Sequence, residues 1–154
     1  MKNVLLVIEP GYEAPDATAY ALSQARERGA SLIALAVLDP GTHQRVASTL
    51  SNVGFVGGRV REGVVDALEK ERRTFAEMQL QQIAEEAQRQ RIECETIIRE
   101  GETSEVCAGV VSLNNVSLAV LVAEKRSWVT RFLSRSATVK LPNLAGCEVK
   151  VMEG

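Results

Sequence analysis

Three stretches of this chain are continuously aliphatic over the length of a strand: Asn3–Ile8 (NVLLVI), Ser31–Leu38 (SLIALAVL) and Leu118–Val122 (LAVLV). A strand with one wet face alternates apolar and polar residues. A strand without alternation must be covered on both faces, which is the habit of parallel sheets sandwiched between helices. Parallel neighbours need long crossovers, usually helical. The first two runs therefore already predict strand, helix, strand.

The intervals supply those helices. Glu9-Pro10-Gly11 ends the first run, because Pro and Gly punctuate strands. Pro15 and Asp16 open a helix where a proline costs no hydrogen bond. Ala14, Thr18, Ala21, Leu22 and Ala25 form its small-residue face, and Gly29 stops it. Pro40-Gly41 closes the second run. Residues 42–61 lack periodicity and read as one long loop, the segment expected to be most mobile. From Glu62 to Arg91 there is one glycine and no proline. Val65, Leu68, Phe75, Met78, Ile83 and Ala87 are the expected apolar face of a helix of about 25 residues, near 40 Å long. That exceeds the width of a sheet, so one end should project.

Glu93–Arg99 alternates and reads as an edge strand with Cys94, Thr96 and Ile98 on one face. Thr103 or Ser104 should cap the next helix, with Glu105 in its first turn. Val106, Val110 and Leu113 are its expected buried stripe, and Asn114-Asn115 its end. A basic loop and a short helix, Ser134–Leu141, follow the fourth strand. Glu148–Met152 is the last strand. The βαβαβαβαβ tally predicts an α/β fold, a three-layer doubly wound sandwich with right-handed crossovers. It occupies one domain, residues 1–154.

Composition narrows the function classes. Only 4% of residues are aromatic, so the core must be aliphatic. The net charge of −2 gives no general pull toward nucleic acid or anionic membrane. No run approaches the roughly 20 apolar residues of a membrane span, and a cytoplasmic, soluble protein is expected. Cys94, Cys107 and Cys147 are odd in number and lack a CxxC pair, so they read as small buried hydrophobes rather than as a disulfide or metal framework. His43 has no Cys or His nearby and no Ser or Cys partner at a strand-to-helix turn. Glu9 and Glu13 flank a turn without a second anchored group. No catalytic or metal-binding residues are assigned.

Three phrases carry a resemblance: KNVLLVIEPGYEAPDATAYALSQARERGASLIALAVLDP, IECETIIREGETSEVCAGV, and LAVLVAEKRSWVTRFLSRSATVKL with the terminal CEVKVM. In element order and spacing they resemble the universal stress protein family over nearly the whole chain. The resemblance implies a five-stranded parallel sheet of order 3-2-1-4-5, the adenine-nucleotide-hydrolase-like or UspA-like fold. In such sheets a ligand binds where the strand order reverses, beyond the carboxyl ends. Here that crevice would be lined by Glu9 and Pro10 after the first strand, Ala123 and Lys125 after the fourth, and Val37 as the far wall.

ATP-binding members carry Gly, two residues, Gly, nine residues, Gly, then Ser or Thr after the fourth strand. Those positions fall here on Ala123, Arg126, Ser136 and Ala137, and residues 118–145 contain no glycine. Side chains at these positions keep backbone amides from phosphate. No cofactor is therefore expected, and ATP by the usual geometry is disfavoured. The resemblance implies a non-enzymatic, homodimeric stress-response or regulatory protein with a vestigial or altered cleft. The alternative is an ATP- or AMP-binding module that uses Arg126, Arg135 and Ser136, with Lys125 nearby, to hold a small anionic ligand. Trp128, Phe132 and Leu133 read as pinning that loop to the core. Glu148, Val149, Lys150, Val151 and Met152 form the edge expected to pair two chains.

Overall fold

The computed structural model describes residues 2–10, 13–39, 58–123 and 147–153. Five strands, β1 (Asn3–Ile8), β2 (Ser31–Leu38), β3 (Cys94–Glu100), β4 (Val116–Ala123) and β5 (Glu148–Glu153), form one sheet of order β3-β2-β1-β4-β5. All four pairings are parallel. The order reverses beside β1, whose two neighbours are β2 and β4.

Helices α1 (Pro15–Arg28) and α2 (Gly58–Arg89) cover one face, and α3 (Thr103–Leu113) covers the other. The period of two along each strand decides which residue goes where. Val4, Leu6 and Ile8 of β1 point to α1 and α2, while Leu5 and Val7 point to α3. β2 divides in the same way, so both central strands are buried on both faces.

α1 begins and ends as the sequence indicates. Pro15 occupies its first turn, and Gly29 adopts φ 62° while its N–H bonds the last carbonyls. The buried set is Ala17, Ala21, Leu22 and Ala25. Ala14 and Thr18, expected on that face, are only half-buried.

α2 starts at Gly58, four residues inside the expected loop, and runs 32 residues. Among its described side chains the buried face is Ala76, Leu80, Ile83 and Ala87, and Val65 and Leu68, also expected there, lie outside that set. Phe75 and Met78, expected on that face, are 42% and 53% exposed. The correction has a simple physical reason. Alanine at 76 and 87 lets the helix lie close on the sheet, and four residues at i, i+4, i+7 and i+11 already fill one stripe. Arg73 Nη2 meets Glu100 Oε1 at 2.6 Å, at the carboxyl end of β3. Residues 58–72 precede that pair, so about 20 Å of helix runs past the carboxyl end of β3.

α3 also differs from expectation. Its N-cap position is Glu102, with no side-chain cap, and Thr103 is the first helical residue. Thr103, Cys107, Val110 and Val111 are buried, whereas Leu113 is 85% exposed. Of the cysteines, Cys107 is buried, and Cys94 and Cys147 are half-buried. The long loop over residues 42–57, with His43, and the short helix Ser134–Leu141, with Trp128, Phe132 and Leu133 before it, lie outside the described residues.

Candidate functional site

The site is built at the carboxyl edge of the sheet. Ile8 pairs with Ala36 of β2, and Val7 with Leu121 of β4. Glu9 and Pro10 leave β1 just beyond those pairs, and Ala123 ends β4 two residues after Leu121. Glu9, Pro10 and Ala123 are thus brought together at the point where the strand order reverses. Val37 stands one residue beyond the Ile8–Ala36 pair, but its side chain is 4% exposed and packs in the core on the α3 side. Lys125, Arg126, Arg135 and Ser136 lie outside the described residues.

Asp39, the first residue after β2, organises the neighbouring turn. Its Oδ2 accepts hydrogen bonds from the Thr103 N–H at 3.3 Å and from the Thr103 hydroxyl at 3.0 Å. A carboxylate from another element therefore serves the start of α3, where helical N–H groups lack partners and the dipole favours negative charge. The preceding Gly101 has φ 145°, and a Cβ there would stand 3.0 Å from Val106 Cγ2. Its N–H donates to the Leu38 carbonyl at 3.2 Å. Sequence reading assigned the cap to Thr103 or Ser104 and missed Asp39. The available signal was an acidic residue closing β2 in a topology that returns α3 to the same edge.

The described part of this edge is acidic. Glu9, Glu13, Asp16, Asp39, Glu100 and Glu102 come from its strand ends, turns and helix starts, and Arg73 of α2 pairs with Glu100.

A cavity of about 380 Å³ opens beside the β1–α1 turn and runs down between α1 and α2. Ile8, Ala14, Leu22 and Ile83 give it an apolar base. Glu13 stands at its upper end, and Gln79 and Gln82 line the α2 side. Its lower end is a closed network. Arg26 Nη2 donates to Gln90 Oε1 at 2.7 Å, and Gln90 Nε2 donates to Glu86 Oε1 at 2.9 Å. Arg89 Nε donates to Glu86 Oε2, also at 2.9 Å. The bonds from Gln90 and then Arg89 hold the Glu86 carboxyl below the usual carboxylate range. No sequence signal marked this groove, because it depends on the distance between two helices.

The thiols are poor nucleophiles. Burial pushes Cys107 up to about 12 and raises Cys94 and Cys147 as well. Among the described residues no group of three His, Cys, Asp or Glu side chains could hold a metal ion, and no helix is long and apolar enough to cross a membrane.

Residues 1–152 match the profile of the universal stress protein family. A search of curated proteins finds no match. Among solved structures, the universal stress protein UspA from Lactobacillus plantarum is 19% identical, with a TM-score of 0.63 over 98% of this chain and 97% of that one. A universal stress protein from Archaeoglobus fulgidus in complex with dAMP is 14% identical, with a TM-score of 0.55 over 98% and 97% of the two chains. A universal stress protein in complex with cAMP is 13% identical, with a TM-score of 0.61 over 98% and 96%. At these identities the structures speak for the fold.

Proposed function

Because this chain belongs to the universal stress protein family, we propose that it is a non-enzymatic, cytoplasmic stress-response or regulatory protein that works as a homodimer and has an altered ligand crevice. One observation carries this reading. The switch point beside β1 is formed, yet no residue from 118 to 145 is a glycine. The backbone cradle that holds phosphate in ATP-binding members needs the close amide approach that glycine allows, and Ala123, Arg126 and Ser136 stand in the sequence where that pattern has glycine. Pairing through Glu148–Met152 would supply the dimer.

A second reading draws support from the solved relatives in complex with dAMP and cAMP. In it the crevice holds a nucleotide by side-chain charge, with Arg126 and Arg135 as forked donors and Ser136 and Lys125 beside them. The turns of the described edge are acidic, which leaves the anion to these side chains there.

Calorimetric titration of ATP at low and moderate salt separates the two. The first reading expects no measurable heat. The second expects binding that falls steeply with salt, since exposed charges are screened within about 10 Å at 0.1 M, and that is lost in Arg126→Ala and Arg135→Ala. Micromolar binding indifferent to both substitutions would contradict both readings.

A further inference from the structure

We infer that the groove between α1 and α2 is a binding site for a small amphipathic amine, separate from the crevice beside β1. Its existence follows from how the two helices are built. α1 lies mainly over β1, and α2 over β2 and β3, so strand spacing holds them apart. The α1 side then offers mostly small residues to the gap, Ala14, Thr18 and Ala19 among them, and α2 answers with Gln79 and Gln82. Small side chains on one wall and carboxamides on the other leave about 380 Å³ open. That volume lies within the range of about 300–1,000 Å³ typical of ligand pockets.

The lining specifies the class of ligand. Ala14, Leu22 and Ile83 offer an apolar base, on which a ring or short alkyl body can lie. Phe75 lies one helical turn above Gln79 on the same flank of α2, 42% exposed, where it can extend that surface. The carboxamides and the Thr18 hydroxyl supply neutral hydrogen-bonding groups. The charged residues that line the groove are Glu13 and Glu86, with no lysine or arginine among the described lining residues. Arg26 and Arg89 stand only at the lower end, committed to Gln90 and Glu86. An ammonium group therefore belongs at the upper end beside Glu13, with the apolar body directed down the groove. A carboxylate or phosphate in the same place would face Glu13 without a compensating cation among the described lining residues. A nucleotide thus has no reason to choose this groove, and the inference stands whichever way the ATP titration falls.

Tryptamine and indole-3-acetate carry the same ring with opposite charge and are suitable probes. Nitrogen-15 correlation spectra of the full chain, titrated with each, report where and how tightly they bind. Tryptamine should shift the amides of residues 13–22 and 75–90 saturably, with a Kd on the order of a millimolar for so small a ligand. Indole-3-acetate should bind several-fold more weakly. Glu13→Gln should weaken tryptamine about two- to fivefold, the range for an exposed ion pair, and narrow the gap between the probes. Ala19→Phe, at an exposed position of α1, should fill the groove and abolish the shifts; Gln82→Trp does the same from α2 if the first variant folds poorly. Equal affinity for the two probes, no saturable shift with tryptamine, or shifts that survive both filling substitutions would overturn the proposal.

Discussion

At residue scale, two side chains carry more of the fold than their types suggest. Asp39 ties the end of β2 to the start of α3 with two hydrogen bonds to Thr103, itself buried. Loss of a helix cap costs about 0.5–2 kcal/mol, and Thr103 would keep a buried hydroxyl without its partner. Asp39→Ala should therefore lower the unfolding free energy by about 1–2 kcal/mol, and Asp39→Asn by less, as measured in urea. Cys107 acts through burial. Its thiol is held well above the ordinary value of 9.0, so the folded chain keeps a proton that the unfolded chain gives up. That contribution is complete below pH 9.0 and is lost as pH rises toward about 12. Stability should fall by roughly 1.4 kcal/mol in total from this one group between about pH 8 and pH 10, nearly all of it above pH 9.0. Cys107→Ala should decline less over the same interval. Thiol labelling should reach Cys94 and Cys147 first, and Cys107 only when the chain unfolds.

At the scale of elements, α2 separates what sequence can reveal from what it hides. Two of its large apolar residues, Phe75 and Met78, are exposed, while alanines at 76 and 87 are fully buried. Ile83→Ala should therefore cost about 2–4 kcal/mol, whereas Phe75→Ser should change stability by no more than about 0.5 kcal/mol. Urea midpoints of the two variants decide the matter, and an equal loss would restore the expected face. The strands were legible because burial on both faces leaves an unbroken aliphatic run, as in NVLLVI and SLIALAVL. Helix faces were less so, since size and burial part company wherever a helix lies close to a sheet. Leu113 repeats the lesson on α3, where Cys107 and Val111 hold the buried stripe and the leucine faces solvent. The turn after β1 was legible as the end of a strand through its Pro and Gly, but the Asp39–Thr103 pair joins residues 64 apart, and the α1–α2 groove exists only in three dimensions.

At the scale of the whole molecule, the sheet has two edges, and they are not equivalent. β3 sends Glu95, Arg99 and Glu100 to solvent, a charge density that discourages pairing. β5 places Val149 and Val151 on the α3 side of the sheet, half-buried. Its other face is held from within the chain, by Glu148 on Arg28 at 3.1 Å and by Lys150 over the Tyr20 ring at 5.9 Å. The outer edge of such a strand suits a closed two-fold contact, and charge selects its register. An antiparallel pair centred on Val149 sets Glu148 opposite Lys150 of the partner subunit, twice by symmetry; centring it on Lys150 would oppose two ammonium groups. The first register should win. Opposite-charge cross-strand pairs contribute about 0.2–1 kcal/mol each, so Glu148→Lys, which affects two of them, should weaken the dimer about fivefold. Adding Lys150→Glu reverses both charges and should recover most of that loss. Sedimentation equilibrium of the parent and the two variants measures all three constants. A parent chain that stays monomeric at tens of micromolar, an order-of-magnitude range for a modest interface, would remove the dimer, and a double variant no tighter than the single one would remove the register.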